Sequence, residues 1–110
     1  MARPRGPEYD LEEVKRLAAA EKLKLSMRVD CYLRNHGYGI PMECAMDVIA
    51  SLDESCFYKT IMLEKRDGKP ADVYRGVECL DETWYVKLFV DSDGDAVVQV
   101  WSMKEDGYAF

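Results

Sequence analysis

From Phe57 to Met103 the chain is patterned for strands. Phe57 to Leu63, Val73 to Leu80, Trp84 to Val90 and Ala96 to Met103 are rich in aromatic and β-branched residues. Polar stretches separate them at Lys65-Arg66-Asp67-Gly68-Lys69-Pro70, Asp81-Glu82-Thr83 and Asp91-Ser92-Asp93-Gly94-Asp95. Short β-rich runs punctuated by Gly, Asp and Pro predict consecutive hairpins, hence an antiparallel meander. Before Phe57 the period changes. Leu11, Val14, Leu17 and Ala18 recur at helical spacing, Asp10 and Glu13 form a capping-box pattern, and Glu12 stands one turn from Arg16. This helix is predicted to end near Glu21 or Lys22, with Leu23 to Ser26 an extended connector or edge strand. Ser26 is placed to cap a second helix, Met27 to Asn35, which Gly37 stops. Pro41 opens a third, whose apolar stripe is Ala45, Val48, Ile49 and Leu52. Helices run together and strands run together. The pattern therefore predicts an α+β fold with N-terminal helices packed on a curved, four-stranded or slightly larger antiparallel sheet.

Strict alternation assigns the strand side chains to faces. Trp84, Val86, Leu88 and Val90 point one way, and Tyr85, Lys87 and Phe89 the other. Lys59 would share a face with Phe57 and Ile61, and Arg75 with Val73 and Val77. A register that aligns these strands would gather Lys59, Arg75, Tyr85 and Lys87 on one sheet face, positive charge around a phenol. Trp84 and Trp101 are expected to face the helices.

The length of 110 residues suits a single domain, expected over residues 10–104 between a flexible tail, 1–9, and a short C-terminal tail, 105–110, where Tyr108 and Phe110 can dock. Apolar content of 48% and charged content of 33% fit a soluble globular chain. No apolar run approaches a membrane span, and the basic start lacks the apolar stretch of a secretory signal, so a cytoplasmic protein without membrane contact is expected. Cys31, Cys44, Cys56 and Cys79 form no Cys-x-x-Cys pair, and His36 is the one histidine. Free buried thiols are the expected reading, with no metal and no cofactor. The loop at Asp91 to Asp95 has its glycine misplaced for a calcium loop, and Ser102 stands where the bidentate Glu would be. The net charge of −6 argues against a protein that lives by non-specific nucleic-acid binding. Acidic and basic residues balance between positions 57 and 90, however, which leaves room for a local positive patch.

The run Val48-Ile49-Ala50-Ser51-Leu52-Asp53-Glu54-Ser55-Cys56-Phe57-Tyr58-Lys59-Thr60 resembles the motility quorum-sensing regulator (MqsR) family of bacterial toxins. The likeness continues at Asp72-Val73-Tyr74-Arg75, Tyr85-Val86-Lys87-Leu88 and Ser102-Met103-Lys104, and the opening Leu11-x-x-Val14-Lys15-x-Leu17 is similar to the family's first helix. The resemblance implies a RelE-like fold. It also implies an endoribonuclease toxin of a toxin–antitoxin pair, which cuts single-stranded messenger RNA independently of the ribosome and is neutralised by a cognate antitoxin, with no DNA contact by this chain alone. By the same resemblance the catalytic residues are Lys59, Tyr85 and Arg75; Lys87, Tyr58 and Lys104 are the expected substrate contacts beside them. The family's active-site glutamine falls on Ala71, a departure, and Gly76 follows Arg75 where the family often has proline.

Metal-free RNA cleavage needs a base for the 2′-OH, cations for the five-coordinate phosphate and an acid for the leaving 5′-oxygen. His36, at a helix end, is expected to be structural or solvated. A lysine ordinarily holds its proton near neutrality, and neighbouring cations with partial burial weaken that hold. Lys59 beside Arg75 and Lys87 is the expected case, with Tyr85 as partner acid or base, or as a phosphate contact. Arg75 suits bidentate phosphate stabilisation, and Tyr58, Trp84 or Trp101 offers a ring for base stacking. The alternative is a binding or regulatory protein on the same scaffold that has lost cleavage, supported by Ala71 and the acidic charge.

Overall fold

The structure is a computed structural model that describes residues 6–64, 68–92 and 94–106. The first helix, α1 (Leu11–Ala19), buries Leu11, Val14, Leu17 and Ala18. Asp10 makes no side-chain cap, and the Glu13 carboxylate is bonded to Arg16. The helix stops short of the expected end, and Glu21 takes a left-handed φ of 62° that turns the chain into a strand, β1 (Leu23–Leu25). The second helix, α2 (Met27–Asn35), starts as its sequence dictates: the Ser26 side chain accepts from Val29 N at 3.2 Å. The Ser26 hydroxyl also donates to the Trp101 carbonyl at 3.1 Å, so the cap ties α2 to the last strand. Gly37, at φ +90°, supplies the left-handed turn after it. Pro41 stands in the first turn of α3 (Pro41–Ala50), where its missing N–H costs nothing.

The strands β2 (Phe57–Leu63), β3 (Lys69–Cys79), β4 (Glu82–Asp91) and β5 (Val97–Glu105) follow in antiparallel succession. The sheet is not the wholly antiparallel one expected. It has five strands in the order β1-β5-β4-β3-β2, and β1 pairs parallel to β5 through Leu23↔Val98 and Leu25↔Val100. The helices α1 and α2 flank β1 and carry it round to this edge, which makes the sheet mixed. All three helices contribute to one core, where Val14, Leu33, Val48, Trp84, Leu88 and Met103 are buried together. A smaller cluster, Leu63, Ala71 and Phe89 with Ile61 and Trp101 against it, marks the second face. Among the described residues no helix is long and apolar enough to cross a membrane.

Three register breaks overturn the strict alternation. In β2 the pairing runs Phe57↔Tyr74 and then Lys59↔Val73, so Tyr58 is an extra residue. In β3 Tyr74↔Val86 is followed by Val77↔Trp84, which leaves Arg75 and Gly76 opposite Tyr85. In β5 Lys87↔Ser102 is followed by Leu88↔Val100, so Trp101 is extra. A bulge reverses which parity faces the core beyond it. Phe57 and Val77 therefore pack with the helices, whereas Lys59 and Val73 lie on the other face. Trp84 is in the main core as expected. Trp101 is not: it is half-buried against the second-face cluster.

Residues at both ends of the described chain are tied to the sheet. Glu8 N and Tyr9 N, within the expected N-terminal tail, each donate at 2.9 Å to the buried Asp72 carboxylate, which also accepts from Thr60 Oγ1. Asp106, past the expected domain end, accepts from Arg75 Nη2 and from Gly76 N. Tyr108 and Phe110 lie outside the described residues, as do residues 1–5 of the N-terminal tail, Lys65 to Asp67 of one polar break and Asp93 of another.

Candidate functional site

On the face away from the helices, one cross-strand row reads Lys59, Val73, Lys87, Ser102. Neighbouring strands lie roughly 4.8 Å apart, so the two lysines stand about 10 Å apart at their Cα atoms, within joint reach of one phosphate by their side chains. The row continues onto α2, where Arg28 Nη2 donates to Ser102 Oγ at 3.2 Å. The adjacent row pairs Tyr85 with Lys104, whose ammonium is 5.1 Å from the Tyr85 ring centroid. Beside them the β3 bulge sets Arg75 opposite Tyr85. Gly76 takes φ +67° there, a conformation that favours glycine and that the bulge requires.

Tyr58 lies on this edge with two cations over its ring, Lys59 at 5.2 Å and Arg75 at 5.4 Å. The ring faces attract both charges and hold them near one another. Asp106 fixes Arg75 from the other side, accepting from Nε at 3.2 Å and Nη2 at 2.8 Å. All six residues expected at the site, Tyr58, Lys59, Arg75, Tyr85, Lys87 and Lys104, thus lie on one end of this face.

The setting changes what these groups can do with protons. Burial pushes the Tyr85 hydroxyl above its usual value, partly offset by Arg75, so the phenol stays protonated and donates. Lys87 is half-buried, and that burial, with Arg28, Lys104 and Lys59 nearby, lowers its pKa. Lys104 is lowered too, by burial first and then by Arg28, with Asp106 opposing. The weakened hold on a proton that the sequence suggested for a crowded lysine is found at Lys87 and Lys104. His36 caps the end of α2, with Nδ1 2.8 Å from the Tyr32 carbonyl oxygen and its ring stacked on Tyr32 at 4.0 Å. All four cysteines are free thiols, but only Cys44 is buried, and burial pushes its thiol up to about 12.

Sequence reasoning missed Arg28, Ser102 and Asp106 as neighbours of the site. Arg28 is an exposed helix residue whose relevance depends on how α2 docks, and only the Ser26 cap hinted at that. Asp106 falls beyond the last apolar run, where pattern has nothing to read. Ala71, at the position of the family glutamine, is fully buried beside Leu63 and Phe89 and offers the face no polar group.

The class is a small α+β domain whose mixed sheet carries, on the face away from the helices, a cluster of cations around a phenol. The family model described as motility quorum-sensing regulator, toxin of MqsA, matches residues 6–105, and the chain belongs to that family of toxins. Membership implies an antitoxin partner, MqsA in the family's own description. A search of curated proteins finds no match.

Proposed function

We propose that this chain is the ribonuclease toxin of a toxin–antitoxin pair, built on a RelE-like scaffold, acting in the cytoplasm on single-stranded messenger RNA without the ribosome and silenced by a cognate antitoxin. The observation that carries the reading is the gathering of Lys59, Lys87, Arg75 and Tyr85 on one sheet face in a chain of this family. The chemistry follows from the groups. The 2′-oxygen of the RNA attacks the adjacent phosphorus, and its proton passes to Lys87, the half-buried lysine in the middle of the row. Lys59 and Arg75 stabilise the charge that builds on the five-coordinate phosphate. Tyr85, held as a neutral phenol, gives its proton to the leaving 5′-oxygen as the P–O5′ bond breaks. The products are a 2′,3′-cyclic phosphate and a 5′-hydroxyl end. Tyr58 and Lys104 line the approach and contact the substrate. DNA recognition is left to the partner.

The test is inducible expression in bacteria of wild type beside Lys59→Ala and Tyr85→Phe, following growth and messenger-RNA integrity. Growth arrest with cut RNA for wild type, relieved in both variants, supports the reading. Arrest by all three, or intact RNA throughout, contradicts it. One observation favours a second reading: Ala71 is buried and apolar where the family carries glutamine. On that reading the chain binds an antitoxin-like or regulatory partner and cleaves weakly or not at all, and soluble expression without arrest selects it.

A further inference from the structure

Between α2 and the second face lies an open cleft of about 560 Å³ lined by Ser26, Arg28, Lys87 and Trp101. That volume falls in the roughly 300–1,000 Å³ range of sites that hold small ligands. It adjoins the reacting row directly, because Lys87 belongs to both. The extra residue of the β5 bulge puts the Trp101 indole here instead of in the main core. Phe89, fully buried, backs it at 6.2 Å between ring centroids, with Lys69 over the Phe89 ring at 5.4 Å. The backbone beneath the indole is fixed by the Ser26 hydroxyl donating to the Trp101 carbonyl. Arg28 is exposed at the rim and oriented by Ser102. A buttressed indole with a guanidinium and an ammonium around it combines a flat apolar surface with anion binding. Those are the two features by which proteins hold single-stranded nucleic acid.

We propose that this cleft is a nucleotide subsite, in which Trp101 stacks on one base of single-stranded RNA and Arg28 binds that nucleotide's phosphate, so that the cleft fixes where the strand lies relative to Lys87. The proposal rests on the ribonuclease reading for its substrate class and names two residues that reading does not use. Stacking tolerates any base, so the subsite sets position along the strand more than sequence.

The experiment is a fluorescence titration of the full chain with uncleavable 2′-O-methyl RNA decamers, one intact and a series with a single abasic position. Trp84 is fully buried and Trp101 is not, so quenching by a stacked base reports Trp101. The expected result is quenching in wild type that vanishes in Trp101→Phe. Binding should also be about tenfold weaker in Trp101→Ala and in Arg28→Ala, and weakest at one abasic position. Should Trp101→Ala fail to fold, Arg28→Ala and the Trp101→Phe quenching still decide, since Arg28 is exposed. Quenching that persists in Trp101→Phe, or wild-type affinity in Arg28→Ala, overturns the proposal. Because these oligonucleotides cannot be cut, the two readings fail separately. Quenching with no cleavage of ordinary RNA keeps the subsite and removes the nuclease, and cleavage without quenching does the reverse.

Discussion

Lys87 carries two features that a base needs: a place in the middle of the reacting row and surroundings that disfavour its ammonium. Burial is the first cause, with Arg28, Lys104 and Lys59 adding to it. The sign of the pH dependence follows. With Lys87 as the proposed base, the neutral amine would be the active form, so cleavage is expected to rise with pH, about tenfold per unit, until the lowered pKa is passed, and to level off below the 10.5 of an ordinary lysine. Replacing a neighbouring cation returns that pKa toward its ordinary value and moves the rise to higher pH. Lys87→Arg keeps the charge but cannot surrender a proton, and is expected to slow cleavage about 10²–10⁴-fold with RNA binding retained. A pH–rate profile and a binding curve on this variant check both parts; wild-type cleavage by Lys87→Arg would remove the base assignment. At this scale the sequence was informative about residue type and poor about role. Lys59, Arg75, Tyr85 and Lys87 could be named from alternation and family likeness. Which lysine would be desolvated depended on α2 lying alongside β5, and no local pattern encodes that docking.

The bulges decide which residues reach the site. Each of β2, β3 and β5 has a register break at the site end, and the residues put out of register are Tyr58, Arg75 with Gly76, and Trp101. Period-two reading located β2 to the residue but began β3 at Val73, four residues after its start at Lys69, and it could not see these breaks. It consequently misplaced Phe57, Val77 and Trp101 while placing Trp84, Val86 and Leu88 correctly. Gly76 was the available signal, since an isolated glycine inside a strand pattern suggests a bulge. The edge strand β1 was weakly legible because three residues carry little periodicity. The β3–β4 turn was also misread by a residue or two. Its two-residue loop is Leu80-Asp81, both in left-handed conformation at φ 55° and 61°. That geometry is the hairpin turn that favours Asn-Gly, and an exposed leucine in it is strained by about 1 kcal/mol. Leu80→Asn with Asp81→Gly is therefore expected to stabilise the fold by about that amount, read as a rise in the denaturation midpoint at unchanged slope. An unchanged or lower midpoint would show that Leu80 is held there by contacts the turn geometry does not account for.

The whole molecule carries a net charge of −6, yet Arg28, Lys59, Arg75, Lys87 and Lys104 converge on one end of one sheet face. An acidic body with a cationic face restricts where a polyanion can settle, and it opposes binding elsewhere on the surface. With about three or four of these cations on phosphates, the logarithm of RNA affinity should fall with the logarithm of salt at a slope of about −2 to −3. Arg28→Ala or Lys59→Ala should make that slope shallower by about 0.7. A slope near zero would place the RNA away from this face. The account stands or falls on cleavage by the chain itself. The most direct measurement incubates the purified protein with a synthetic single-stranded RNA, no ribosome present, and identifies the ends it makes, beside Lys59→Ala and Tyr85→Phe. The account predicts 2′,3′-cyclic phosphate and 5′-hydroxyl ends from wild type and a loss of about 10²-fold or more in rate in each folded variant. Intact RNA with the wild-type protein, or equal cleavage by all three, would contradict it.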